Sequence, residues 1–302
     1  MSNKKITDAV LLEELRKRFE EKEAAISGLQ DLTNELKEVN AKLQASEQLK
    51  SNFIANINNE IVNPFASVLG LSRTILEVKE NDWDKAKYMA KLIFVEAHNL
   101  DFQLKNIFAA AQIEAGQVFP QISKVDVMQL IQGVLDDFEN DLASKRLKPV
   151  VTRKTTDSEE DTFYFRSDPE KLKLIFSNLV SNAIKFSKGA KIDIVVNKVN
   201  KSLVVSVRDY GIGISEKNKE IIFDRFTRLD TGINSVNRGH GLGLSVVKAF
   251  IELFDGDINI ESSIGKGSVF TITIPEPIAG DGFEGYSSEG NEVFFGDEDE
   301  VF

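Results

Sequence analysis

The run Leu174-Ile-Phe-Ser-Asn178-Leu-Val-Ser-Asn182-Ala-Ile-Lys185-Phe186 decides how the rest of the chain is read. It lies in a stretch, residues 168–187, that reads as a helix. Asn178 and Asn182 stand four residues apart and share one face, with Lys185 three residues further on. An amide oxygen is a hard ligand suited to Mg²⁺, and Lys is a compact charge suited to phosphate. Three glycine clusters follow in order. Asp209-Tyr-Gly211-Ile-Gly213-Ile comes directly after the strand-like run LVVSVR. Gly239-His-Gly241-Leu242-Gly243-Leu244 opens a helix, and Gly265-Lys-Gly267-Ser268 opens the last strand. A glycine-rich turn at a helix start offers free N–H groups and a positive dipole end to a phosphate. Any one cluster alone reads equally well as a fold-maintaining turn. Three in order beside the paired asparagines read as a nucleotide site.

Outward from that core, helical stretches (125–145, 168–187, 216–226 and 241–254) alternate with short β-like runs: Pro149–Thr152, Ile192–Asn197, Leu203–Arg208, Asp257–Ser262 and Ser268–Ile274. The runs alternate apolar and polar, which predicts a sheet with one face covered by helices. The N-terminal third differs. From Leu11 to Leu49 there is no Pro and a single Gly, and Leu29, Leu32, Leu36, Val39 and Leu43 follow the 3-4-3-4 spacing of a two-stranded coiled coil. Leu15, Phe19, Lys22, Ile26 and Leu29 step 4-3-4-3, so the phase slips at Leu29 beside Gly28, as an ordinary irregularity or as a torsion-sensitive joint. The helical pattern runs on through Pro64 to Ile75, turns over residues 80–84, and returns from Ala86 to Ala111, with Gly116 as a C-cap. Such a hairpin cannot bury both apolar faces alone, whereas a dimeric four-helix bundle can.

The predicted fold class is therefore α+β. A coiled-coil helix (1–49) and a two-helix hairpin (50–117) precede an α/β two-layer nucleotide-binding domain (122–278) and an acidic tail (279–302). The chain has 302 residues, a net charge of −11 and no Cys. That excludes disulfides, thiolate zinc sites and a Cys nucleophile. Eight of the acids lie between Ala279 and Phe302 with no Lys or Arg among them, so the body is nearly neutral and offers no nucleic-acid surface. No apolar run approaches the ~20 residues of a membrane span, and the N-terminus lacks a signal-peptide core, which together suggest a cytoplasmic chain. The tail repeats Glu-Val-Phe at 292–294 and 300–302, as a docking motif or as part of a solubilising disordered segment.

With these boxes in order, the sequence resembles the catalytic core of a sensor histidine kinase, of the gyrase, chaperone and histidine-kinase ATPase superfamily. The resemblance runs from about Lys50 to Pro275. Residues 174–187 resemble the N box, Asp209–Ile214 the first glycine box, Ile222–Arg228 the F box, and Gly239–Leu244 and Gly265–Phe270 the later glycine boxes. It implies ATP and Mg²⁺ as cofactors. Asp209 would accept a hydrogen bond from the adenine amino group, Asn182 would hold Mg²⁺ with Asn178 nearby, and Lys185 would reach the phosphates. Residues 227–238 would form a lid, with Arg228 a phosphate contact. Gly239, Gly241 and Gly243 would hinge the lid and, with Leu242 and Leu244, open the helix at the triphosphate. Gly211 and Gly213 would shape the adenine side. The implied partners are a second copy of the chain and a response-regulator receiver domain.

One departure matters. The family's first hairpin helix carries His-Glu-x-x-Thr/Asn-Pro, whose His accepts the γ-phosphoryl group. Here the segment is Asn59-Glu60-Ile-Val-Asn63-Pro64. An amide nitrogen is delocalised into its carbonyl, whereas a neutral imidazole has a free lone pair and a pKa of about 6.5. Asn59 is therefore expected not to accept phosphate. Two other histidines exist, His98 as a structural residue and His240 as a filler in a glycine box. Glu60 and Asn63 survive. In the family the residue at the Asn63 position orients water against aspartyl-phosphate, so phosphatase action need not require the missing His; alternatively Asn63 relieves the carbonyl freed by Pro64. A scaffold in which ATP only sets a conformation is the other class of function that fits. A mechanical ATPase of the gyrase type is disfavoured, because only about 25 residues follow Pro277.

Overall fold

A computed structural model describes residues 8–79, 82–154, 163–189, 191–227 and 241–277. Of these, several side chains between residues 8 and 60, including all of 48–60, fall outside the description. The chain divides into two units, Met1–Asn56 and Ile57–Phe302.

Helix α1 spans Asp8–Leu76 and runs through Pro64 without a break in assignment. In the first unit its Leu29, Leu32, Leu36, Val39 and Leu43 are all exposed. They recur along the helix at the 3-4 spacing read from the sequence. In the second unit, α2 spans Trp83–Glu114. Of the turn expected over residues 80–84, Glu80 and Asn81 lie outside the described residues, and Trp83 and Asp84 already belong to α2. Gly116 ends the helix as expected, at φ +65°, where the Gln117 N–H reaches the Gln112 carbonyl at 3.0 Å.

The sequence reads the apolar face of α2 as Ala86, Met89, Ile93, Ala97, Leu100, Leu104, Ile107 and Ala111. The structure adds a second face. Phe102, Asn106, Ala109, Ala110 and Ile113 lie against the core of the following domain, and Asn106 and Ala109 are fully buried there. His98 is half-buried, stacked on Phe94 and edge-on to Phe138, as a structural histidine would be.

The domain that follows has a five-stranded sheet in the order β2-β4-β5-β7-β6. Its strands are β2 (Lys148–Lys154), β4 (Lys191–Val199), β5 (Ser202–Arg208), β6 (Asp257–Ser263) and β7 (Gly267–Pro275). β2 runs parallel to β4, and the other pairs are antiparallel. Each strand extends the predicted run by one to three residues. Register stacks the inward residues in rows: Val196, Val205 and Ile272 form one, and Ile194, Val207 and Phe270 the next. All six are buried. Helices α3 (Val127–Asp137), α5 (Pro169–Phe186) and α6 (Gly243–Leu253) supply the other half of the core, through Ile131, Leu172, Ile175, Phe176, Val247 and Ile251. Each such side chain contributes roughly 1.5–3 kcal/mol by leaving water.

Two expectations are corrected. Residues 125–145 are not one helix. They begin as strand β1 (Ser123–Asp126), which pairs antiparallel with β3 (Tyr164–Ser167). The Asp126 carboxylate then caps α3 by accepting from the Met128 and Gln129 N–H groups at 3.0 and 3.1 Å. The helix breaks at buried Phe138 before α4 (Glu139–Ser144). Residues 216–226 are not an α-helix but two short 3₁₀ turns, Glu216–Asn218 and Ile221–Phe223. The chain there buries Ile222 and reverses at Phe226, whose φ is +66° and whose N–H donates to the Gly241 carbonyl at 3.0 Å.

Candidate functional site

Helix α5 carries the paired asparagines, and both its ends are fixed. At its start, buried Asp168 caps the Lys171 N–H at 3.0 Å with one oxygen. The other accepts from the Gln121 N–H at 2.8 Å and the Lys171 ammonium at 2.6 Å. Lys171 also donates to the Phe119 carbonyl at 3.0 Å, so the segment that joins α2 to the domain is tied to the start of α5. Burial pushes the Asp168 carboxyl up, but the bonds from Gln121 and Lys171 outweigh it and hold the group below its usual range. At the far end, Lys145 donates to the Ile184 and Lys185 carbonyls, both at 2.8 Å, and satisfies two acceptors that the helix leaves open. Burial lowers the pKa of Lys145, with Asp141 opposing.

The end of α5 is stitched to the first glycine cluster. Ser187 bridges to Gly211, and the Lys188 N–H donates to the Tyr210 carbonyl at 3.3 Å. A Cβ at Gly211 would lie 2.0 Å from the Phe186 carbonyl oxygen, so only glycine allows this approach. Gly213, at φ +68°, is pressed equally close to the Ser263 carbonyl, and the Gly265 N–H donates to the Ile212 carbonyl at 2.7 Å. The first and third glycine clusters therefore lie directly on each other. Ser262 locks the contact: its Oγ accepts from the Ile214 N–H at 2.8 Å and donates to the Gly267 carbonyl at 2.9 Å.

Asp209 sits at this junction, just beyond β5, and is 4% exposed. Its Oδ1 accepts from the Gly211 N–H at 2.8 Å, and its backbone N–H donates to the Ser268 carbonyl at 2.9 Å. Burial pushes its carboxyl up, against the hydrogen bonds from Gly211 and Ser268. A buried carboxylate is costly, and groups raised by burial in this way mark functional sites. Next to it, the Tyr210 hydroxyl donates to Asp193 at 2.5 Å; that bond first, then Lys191, keeps Asp193 low.

The two asparagines separate. Asn182 is half-buried, one turn from the end of α5. Asn178 is buried, and both its amide hydrogens are used, on the Asn106 Oδ1 at 2.6 Å and the Leu174 carbonyl at 2.9 Å. α6 opens at Gly243 after Leu242, which is fully buried and offers no side-chain acceptor to the first turn. Leu244 is half-buried against the core, and Lys185 is half-buried. Gly241 lies at φ +72° beside Phe226. Arg228, Gly239, His240 and the expected lid beyond Thr227 lie outside the described residues, as does the acidic tail from Ile278 onward. Asn59 and Glu60 fall within α1, but their side chains are not described; Asn63 is exposed and Pro64 buried. Among the described residues no three His, Asp or Glu side chains converge as a metal site, and no helix is long and apolar enough to cross a membrane.

Sequence reasoning missed Lys145, the Ser262 lock, Asp168 and Asn106. The last left a readable signal: a lone amide at helical spacing between Phe102, Ala109 and Ile113 needs a buried partner.

Residues 167–278 match the family described as Histidine kinase-, DNA gyrase B-, and HSP90-like ATPase. Over 246 residues, 81% of the chain, the sequence is 32% identical to the circadian input-output histidine kinase CikA of Synechococcus elongatus. It is 29% identical over 84% of its length to the sensor protein DivL of Caulobacter vibrioides. It spans about a third (32%) of each of these relatives. Among solved structures, full-length ShkA in complex with AMPPNP matches with a TM-score of 0.54 at 22% identity, covering 77% of this chain and 46% of that one, which is a likeness of fold. The buried Asp209 junction, the interlocked glycine clusters and these similarities agree: residues 167–278 are an ATPase domain of the histidine kinase, gyrase B and HSP90-like family, and the similarity to histidine kinases extends over most of the chain.

Proposed function

We propose that this chain binds Mg-ATP and a response-regulator receiver domain as a dimer, and that it does not phosphorylate itself at the usual hairpin position. The observation that carries the nucleotide reading is Asp209. It is a buried carboxylate held by Gly211 and Ser268 at the point where three sequence-distant segments meet. An exocyclic amino group would give such an acceptor a further donor. The residues also fit a magnesium nucleotide. Asn182 offers one hard oxygen, and Mg²⁺ commonly takes one or two protein ligands and draws the rest from phosphate and water. The ion would neutralise phosphate charge. The uncapped first turn of α6 would face the phosphates with its N–H groups, and Lys185 and Arg228 would add positive charge.

In an ordinary member of the resembled family, the γ-phosphoryl group passes from ATP to an imidazole nitrogen and ADP leaves. It then passes from that nitrogen to a receiver aspartate. Asn59 has no nitrogen lone pair to start this sequence. Glu60 and Asn63 remain available to a water attacking aspartyl-phosphate on the partner, so phosphatase action is retained. The exposed seam of α1 and the exposed Phe65, Leu69, Phe94 and Phe108 of the hairpin helices provide apolar surface for a second copy. The alternative, an ATP-gated scaffold, differs in turnover rather than in binding.

The test is incorporation of label from γ-labelled ATP into this chain and into Asn59→His, side by side. Acid-labile, base-stable label only in Asn59→His is expected. Label in neither, with ATP still bound, favours the scaffold. Label in the unaltered chain overturns the reading of Asn59.

A further inference from the structure

Asn106 belongs to the hairpin, yet it is 1% exposed and forms a hydrogen bond inside the ATPase domain. Its own Nδ2 donates to the Phe102 carbonyl at 3.0 Å, one turn back on α2. That fixes the amide so that Oδ1 points away from α2. Oδ1 accepts from Asn178 Nδ2 at 2.6 Å, across 72 residues of sequence. The second Asn178 hydrogen goes to the Leu174 carbonyl at 2.9 Å. Reversing the Asn178 amide would set its oxygen against two acceptors, so its orientation is determined from both sides. What remains is the Asn178 Oδ1, aimed at the start of α6. A Cβ on Gly243 would lie 2.5 Å from it. A free amide could swing away from such a contact, but this one is held at both hydrogens. The Asn178 oxygen therefore lies close against the first residue of α6.

A continuous buried path thus runs from α2 through Asn106 and Asn178 to Gly243. Each link is a hydrogen bond or a van der Waals stop, and both amides are buried where an unpaired donor is expensive. α2 is seated on the same domain by Phe102, Ala109, Ala110 and Ile113, so the bond forms only when the hairpin helix is docked there. We propose that Asn106 is a positioning residue for the nucleotide site: acting through Asn178, it ties the placement of the α6 N-terminus to the docking of hairpin helix α2. This rests on the reading of that terminus as the phosphate-facing end of an ATP site. By linkage the coupling is reciprocal, so a nucleotide at α6 strengthens the docking of α2 by the same factor.

The experiment measures Mg-ATP affinity and thermal midpoint for the full chain, Asn106→Leu, Asn178→Leu, the double variant, and Asp209→Asn. It also measures amide hydrogen exchange over residues 102–113 with and without Mg-ATP. The expected loss for Asn106→Leu is about tenfold in affinity, within the usual range of coupling between sites. Asn106→Leu adds no further loss once Asn178 is Leu. Nucleotide slows exchange in α2 of the unaltered chain and not in Asn106→Leu. The exchange measurement on the unaltered chain needs no variant to fold. A purely structural Asn106 would lower the midpoint and leave the affinity unchanged. Unchanged affinity in Asn106→Leu, additive losses in the double variant, or nucleotide-independent exchange in α2 each overturn the proposal. Asp209→Asn binding Mg-ATP as well as the unaltered chain overturns the nucleotide reading itself, which separates the two failures.

Discussion

The first unit and the ATPase domain use the same apolar residue types to opposite ends. On α1, Leu32, Leu36 and Leu43 are more than half exposed. In the domain, Leu172, Ile175 and Leu179 on α5 are essentially inaccessible. Both sets recur at helical spacing. What differs is the surroundings: α5 has a sheet whose central strands present one apolar face, and the first unit contains a single helix. An apolar stripe left exposed at coiled-coil spacing is a surface that a second helix would cover. The domain buries its apolar residues within itself, and the role proposed for the α1 seam is association.

The sharpest test of that contrast is a pair of truncations to alanine. Leu172→Ala empties a site with no exposure and is expected to cost ~2–5 kcal/mol. Chemical denaturation followed by a domain-specific signal should show the loss independent of protein concentration. A concentration-dependent loss would mean that the domain itself needs a partner.

Next in size is Asp168, where the domain meets the segment leaving α2. Its folded pKa is depressed, so its stabilisation is present above the unfolded value of about 3.9 and is lost as pH falls through the lower folded value. Asp168→Asn keeps the cap oxygen but loses the charge opposite Lys171. The expected cost near neutral pH is ~1.5–3 kcal/mol, the range for hydrogen bonds to charged groups. As pH falls through that lower folded value the variant and the parent should converge. Parallel stability curves down to that pH would show that the carboxylate charge contributes nothing.

The complementary variant is Leu36→Ala on the seam. It should leave the domain's stability unchanged and weaken self-association by about tenfold, roughly the ~1–2 kcal/mol of a part-buried leucine at a two-chain interface. Sedimentation equilibrium at several concentrations reads this directly. A chain that sediments as a monomer with and without the substitution would remove the association reading of α1.

What the sequence made legible follows the same division. Period-two alternation was strong in β4, β5 and β7 because their inward residues share one buried face, and there the predicted and observed strands agree to within two residues. β1 and β3 are four residues each and pair across some forty residues of chain. Neither carries a run long enough to show a period. Residues 216–226 carry the apolar cluster Ile221, Ile222 and Phe223, which imitates a helix but is used to anchor a turn. The glycines were legible because close backbone approach restricts residue type, and Asp209 because it adjoins them. Asn106 and Lys145 were not, because their partners are backbone and amide groups distant in sequence. Asn178 was visible, but that its amide hydrogens go to Asn106 and the Leu174 carbonyl is something local spacing cannot show.

Asp209 gives the smallest expected change in stability, and its sign distinguishes a site from a structural element. A carboxyl raised in the folded state makes that state bind its proton more tightly than the unfolded chain does. Stability then falls as pH rises from the unfolded value through the raised folded one, so wherever the group is ionised it is a net cost. Asp209→Asn keeps an oxygen for the Gly211 N–H and removes the charge, so it should leave the domain equally stable or up to ~1 kcal/mol more stable. The same change should weaken Mg-ATP binding by at least tenfold, because the acceptor at the adenine position becomes a neutral amide. Thermal midpoint and nucleotide titration on one preparation read both. A variant that loses stability and keeps its nucleotide affinity would make Asp209 a structural residue and return the buried charge to the fold.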